Sequence, residues 1–170
     1  MKTILKTMLV GIVAGGFGTL LLNVVSYLDM LVQGRPASQA PGELAGRLAE
    51  KAHIEQIATD NQAPEAQARR SATGALLGYS TGVGLAMGYS GLQLLGVRAN
   101  PLVSGIGLGI AAMASSDVPL TLAGVSNPKQ WSPRSWVSDI VPHVAYGIAT
   151  AGAFEMLQPA AKSDGQQLRH

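Results

Sequence analysis

The chain has 170 residues, 47% of them hydrophobic and only 13% charged, with no cysteine and a formal net charge of +2. That charged fraction is about half of what a water-soluble domain carries, and the lack of cysteine excludes a disulfide framework, a thiolate nucleophile and a zinc–thiolate site. The basic residues are scattered, not gathered on one helix face or interleaved with aromatics, so nucleic acid is not expected as a partner.

Four stretches, 4–32, 72–97, 101–125 and 136–157, are apolar for more than twenty residues, with Lys6 their one basic residue. An apolar helix of about 20 residues, rising roughly 1.5 Å per residue, spans a hydrocarbon core of about 30 Å. The expectation is an all-α integral membrane four-helix bundle. Residues 1–170 form one membrane domain surrounded by lipid in the inner, cytoplasmic membrane of the cell, and no length remains for a soluble catalytic domain.

Lys2 and Lys6 before an apolar run resemble the opening of a secretory signal. The run is too long and lacks a small-x-small site before a polar start, so a retained first helix is expected. Gly11 and Gly15 leave a bare stripe suited to close packing in lipid. Thr19, Asn23 and Tyr27 follow at four-residue spacing on one face, and Asp29 with Gln33-Gly34-Arg35-Pro36 marks the exit.

Residues 35–70 form the single long hydrophilic stretch. Within it, 41–58 reads as an amphipathic helix, with Leu44, Leu48, Ile54 and Ile57 as its apolar positions and Glu43, Arg47, Glu50, Lys51 and Glu55 supplying charge. Such a helix lies on the membrane surface or against the bundle. A break is expected at Asn61 to Pro64.

The second span holds Gly74, Gly78 and Gly82 in one four-residue series and Gly84 and Gly88 in another, which predicts a helix at the packing centre. Asn100-Pro101 opens the third span with a cap and a proline at the first helical position. That span carries Gly105 and Gly109 and ends in the polar Ser115-Ser116-Asp117-Val118-Pro119. Ser132-Pro133 opens the fourth in the same way, beside Trp131 and Trp136, which suit the headgroup belt. Pro142 lies inside it and should bend it. A short polar tail, 159–170, closes the chain.

If the four spans alternate, the end of the first, the start of the second, the end of the third and the start of the fourth share one membrane face. Asp29, Asp117, Asp139 and His143 then belong to one leaflet. Asp139, His143 and Tyr146 line one stripe of the fourth span. Ionisable groups are costly in lipid and face protein or water, so Asn23, Tyr27, Asp29, Asp117, Asp139, His143 and Tyr146 are the candidate polar cluster. Either they hold the helices together by hydrogen bonds, or they form a proton-relaying or ligand-binding pocket. Glu155 lies toward the opposite face and is expected to snorkel or to pair with Lys162. His53 has no second histidine at metal-ligand spacing, so neither a metal nor a cofactor is expected, and His170 is terminal. No nucleophile elbow, phosphate loop or His-Glu-x-x-His pair occurs, and no catalytic residue is assigned.

Arg35, Arg47, Lys51, Arg69, Arg70, Lys129 and Arg134 fall on the face of the long segment, against Lys2, Lys6, Arg98, Lys162 and Arg169 on the other. The excess of basic residues places 35–70 in the cytoplasm.

Two strings carry a resemblance. The first is Gly18-Thr19 and Leu22-Asn23 with Tyr27-Leu28-Asp29-Met30 and Gly34-Arg35-Pro36-Ala37-Ser38. The second is Trp136-Val137-Ser138-Asp139-Ile140-Val141-Pro142-His143 with Ala145-Tyr146-Gly147. Together they resemble a family of uncharacterised bacterial multi-pass membrane proteins common in actinobacteria and their neighbours. The resemblance implies a bacterial origin and a membrane fold, and it supplies no catalytic residues.

The small-residue stripes on the first three spans exceed what a lone bundle needs. They point to a structural or accessory membrane component that associates with itself or a larger complex, with no chemistry of its own. The alternative is a small transporter or channel in which Asp29, Asp117, Asp139 and His143 line a polar cavity. A third reading is a lipid-modifying enzyme with Asp139 and His143 as acid and base.

Overall fold

The computed structural model describes residues 1–158. The tail read as 159–170, with Lys162 and His170, lies outside the described residues. The described residues form five α-helices: α1 (Lys2–Gln33), α2 (Ala40–Lys51), α3 (Pro64–Leu94), α4 (Pro101–Leu122) and α5 (Pro133–Leu157). A short 3-10 turn, Pro128–Gln130, precedes α5, and no strand occurs among the described residues.

Local chemistry sets the helix ends. Proline occupies the first turn of α2, α3, α4 and α5, where its missing N–H is one that a helix leaves unpaired anyway. The Asn100 side chain accepts from the Leu102 N–H at 2.9 Å, and Ser132 Oγ accepts from the Ser135 N–H at 3.1 Å, which caps α4 and α5. Gly34, Gly96 and Gly124 follow the other ends of α1, α3 and α4 with φ of 63, 82 and 69°. The N–H of each following residue returns to a carbonyl in the helix, Arg35 to Met30, Val97 to Leu92 and Val125 to Leu120, the closure that a left-handed residue makes possible.

The helix bounds depart from expectation at α2, α3 and α4. The expected 41–58 helix stops at Lys51 because His53 adopts φ 56° and takes the terminating position, with the Ile54 N–H bonded to Ala49 O at 2.8 Å. The second span begins at Pro64, well before residue 72, because Pro64 and the acidic Glu65 form a favourable first turn. It ends at Leu94, and the third span at Leu122, each stopped by the glycine that follows.

The four long helices pack antiparallel to their neighbours. Thr7, Gly18 and Gln33 of α1 meet Gln158, Thr150 and Ser138 of the α5 side. Gly11, Gly15 and Asn23 of α1 meet Ser90, Ala86 and Tyr79 of α3. Gly105 and Gly109 of α4 meet Ile148 and Val144 of α5. The order around the molecule is α3, α1, α5, α4, with the α3–α4 edge the loosest, and α2 lies against the first part of α3.

Burial is inverted relative to a protein in water. The interior is built from small residues, Gly11, Ala14, Gly15, Gly18, Gly82, Ala86, Ser90, Gly109 and Ala151, around Tyr146 and Phe154. Ile12, Val13, Phe17, Leu20, Val103, Ile110, Val137 and Val141 are exposed. α1, α4 and α5 are long and apolar enough to cross a membrane. The expectation of four such spans is therefore met by three. α3 carries no charge from Ser71 to Leu94, but its glycines, serines, threonines and tyrosines dilute its apolar content.

Candidate functional site

The structure brings part of the candidate cluster together at one end of the α4–α5 contact. Gly109 lets the α5 backbone approach closely, since a Cβ there would lie 2.8 Å from His143 O and 2.9 Å from Val144 Cα. Just beyond that contact, Ser116 and Asp117 on α4 face Asp139 and His143 on α5. His143 Nδ1 donates to the Asp139 carbonyl at 2.8 Å and lies 3.5 Å from Asp139 Oδ1. The carbonyl can only accept, so the proton is fixed on Nδ1. Nε2 is left 3.4 Å from Ser116 Oγ, which itself donates to Met113 O at 2.9 Å. The Asp117 and Asp139 carboxyls adjoin one another, and Asp139 Oδ2 is buried with no hydrogen-bond partner among the described residues.

Two carboxyls, an imidazole and a hydroxyl in one half-buried group can exchange a proton or hold a small cation. Asp139 and His143 lie roughly 9 and 15 Å along α5 from Pro133, at 1.5 Å per residue. No three His, Asp or Glu residues among the described ones stand at metal-binding distances.

The other candidates are spent elsewhere. Asp29 ion-pairs with Arg35 at 2.7 Å and accepts from Gln33, whose Nε2 also donates to Ser138 Oγ at 2.8 Å. It therefore ties the end of α1 to the start of α5. Asn23 Nδ2 donates to Tyr79 Oη at 3.2 Å, an α1–α3 link. Tyr27 is 62% exposed and belongs to the outer surface. Tyr146 is 1% exposed and donates to Gly82 O at 2.6 Å, its ring filling the space beside Gly18 and Gly82. It holds α5 against α1 and α3. Glu155 is exposed, and its expected partner Lys162 lies outside the described residues.

Three partners escaped the reading of the chain. Tyr79, Ser138 and Thr150 are uncharged polar residues, each placed opposite an α1 residue. Their signal is position on a helix face, which becomes useful only once the neighbouring helix is known. Trp131 and Trp136 stack edge to face with centroids 5.0 Å apart, and Trp131 Nε1 donates to Ser126 Oγ at 3.1 Å. They stand at the same end of the molecule as the polar cluster.

Comparison with protein-family models, with curated proteins and with solved structures finds no match to this chain.

Proposed function

We propose that this chain is a four-crossing inner-membrane protein acting as a structural or accessory component, and that it associates with a second copy of itself through the outer side of α3. The antiparallel arrangement supports the fourth crossing, because α3 runs the full height of α1 in the opposite direction. The excess of basic residues supports a cytoplasmic 35–70 segment.

The observation that carries the reading is the outer side of α3. Leu77, Ser80, Gly84, Gly88 and Leu95 are exposed and recur at helical spacing, with Gly91 half-buried on the same side. A Cβ built at Gly84, Gly88 or Gly91 meets nothing within 4 Å. A strip of bare backbone and hydroxyl gains little from lipid tails and packs closely against another helix.

Because the chain has no cysteine, single cysteines report cleanly. Oxidation of Ser80→Cys in membranes should yield a dimer, while Phe17→Cys on the outer side of α1 should not. A Ser80→Cys protein that stays monomeric in membranes would defeat the association. Recovery joined to a different membrane protein would reassign the face to a larger complex. Cysteines at Gln62 and Ala99 should label from opposite sides of the membrane, and labelling from one side would remove the fourth crossing.

A second reading is favoured by the unpartnered Asp139 oxygen. In it, Asp117, Asp139 and His143 form a proton- or cation-handling site of a small transporter or channel. Flux in proteoliposomes should then fall in Asp139→Asn and His143→Gln. Flux equal to that of the parent chain, or absent in both, would reject this reading.

A further inference from the structure

α2 and the first turns of α3 form a half-open polar cleft of about 320 Å³ at the end of α3 away from the α3–α4 loop. Two guanidinium groups line it, Arg47 and Arg70, together with Gln62, Gln67, Ser71 and a single carboxylate, Glu43. Arg70 is held in place from one side only. Its Nη1 donates to Ala58 O at 2.6 Å and to Asn61 O at 2.8 Å. Its Nε and Nη2 have no partner among the described residues, and neither Arg70 nor Arg47 forms an ion pair there.

The anchoring matters. A guanidinium pinned through one nitrogen loses little further freedom when its other donors are used, and its planar fork matches an oxyanion. The side-chain amides and hydroxyl around it are also able to donate. Close packing keeps the walls in place: a Cβ on Gly74 would lie 2.6 Å from the Pro41 carbonyl carbon, so α2 sits directly on the α3 backbone.

The height of the cavity completes the argument. Arg70 is the last charged residue of α3 before the uncharged run from Ser71 to Leu94, and Leu76 and Leu77, one to two turns on, are exposed. In the membrane reading above, that boundary is where lipid phosphates lie. Basic pockets beside membrane helices on the cytoplasmic side suit such headgroups.

We infer that the α2–α3 cavity is a phosphate-binding site, with Arg70 and Arg47 gripping the oxyanion and a lipid headgroup as its source. The oxyanion site rests on the cavity alone. The lipid source rests on the membrane reading, and the two fail separately in one experiment.

The full chain is purified in a zwitterionic detergent and given either short-chain phosphatidic acid in phosphatidylcholine micelles or inorganic phosphate. Retained ligand is measured by native mass spectrometry, and the unfolding midpoint is followed in parallel. Phosphatidic acid should be retained by the parent chain and by Arg69→Gln, an exposed neighbour that does not line the cavity. Retention should fall roughly tenfold in Arg47→Gln and Arg70→Gln, the loss expected for one charged hydrogen-bonding group. Glu43→Gln should strengthen it.

Arg70→Gln also frees two loop carbonyls, so Arg47→Gln, whose residue is exposed and bonded to nothing among the described residues, keeps the test sound. If inorganic phosphate alone binds with the same arginine dependence, the site stands and its source is free phosphate. If retention is insensitive to Arg47 and Arg70, or falls equally in Arg69→Gln, the proposal is overturned.

Discussion

Along α1 the outward residues from Ile12 to Leu28 are Ile12, Val13, Phe17, Leu20, Val24, Tyr27 and Leu28, all large, and Tyr27 alone carries a polar group. Along α3 they include Leu76, Leu77, Tyr79, Ser80, Gly84, Met87, Gly88 and Leu92, with small residues set between the large ones. The inward faces of the two helices are alike. Gly11, Gly15 and Thr19 meet Gly82, Ala86 and Ser90 so closely that an added Cβ would collide. The difference teaches that a glycine has two separate uses in this chain. Glycines facing inward set the distance between helices, and those facing outward on α3 leave a surface that lipid covers poorly. One residue type thus sets helix spacing on one side of α3 and, in the function proposed above, serves assembly on the other.

The sharpest way to break the comparison is to fill the inside. A side chain at Gly147 would run into Gly105 O and the Gly109 N–H, which are α4 backbone and cannot swing aside. Gly147→Ala should cost on the order of 3 kcal/mol of stability, read from unfolding in detergent. An unchanged midpoint would mean that α4 and α5 do not approach as closely as described.

Filling the outside should act on assembly alone. Gly88→Ile meets no neighbouring atom, so the unfolding midpoint should stay within about 0.5 kcal/mol of the parent. Energy transfer between labelled copies in liposomes should fall at least tenfold in apparent affinity, since a bulky chain prevents close backbone approach. A parallel loss of stability would merge the two uses into one.

Tyr146→Phe keeps the ring between Gly18 and Gly82 and removes only the hydrogen bond to Gly82 O. Hydrogen bonds between membrane helices contribute about 0.6 kcal/mol on average and at most about 1.7, so a loss near 1 kcal/mol is expected in the same unfolding assay. The smallest effect belongs to the outer side of α1. Phe17→Leu should change stability by less than about 0.5 kcal/mol and leave the Ser80→Cys dimer intact.

Much of the helical framework was legible in the chain because the relevant signals are local. Asn100-Pro101 and Ser132-Pro133 announced two helix starts, and both side chains do cap their helices. The end of α2 was not legible, because His53 takes a conformation that glycine usually holds, and no pattern in 41–58 marks it. The apolar runs of α1, α4 and α5 were readable from composition. α3 misled for the reason that makes it interesting: an uncharged run is not an apolar run when more than a third of it is glycine or serine.

The polar cluster was half legible. Asp139 and His143 are four apart on one helix, so their proximity follows from helical geometry, and Asp117 joined them once the spans were taken to alternate. The same rule put Asn23 and Tyr27 with them, and the structure places Asn23 against Tyr79 and Tyr27 on the outside. Residues four apart drift around a long helix, so Thr19 is buried while Tyr27, two steps on, faces outward. Asp29 was drawn off by Arg35, a partner only six residues away whose reach depends on the turn at Gly34.

Tyr146 touches α1 and α3, through its ring at Gly18 and its hydroxyl at Gly82. Chain order puts α1 and α3 before residue 146, so the space beside Gly18 and Gly82 can be filled only once α5 is made. α5, made after both, is therefore the bolt, and a chain interrupted before it should leave the α1–α3 pair loosely held and open to proteolysis.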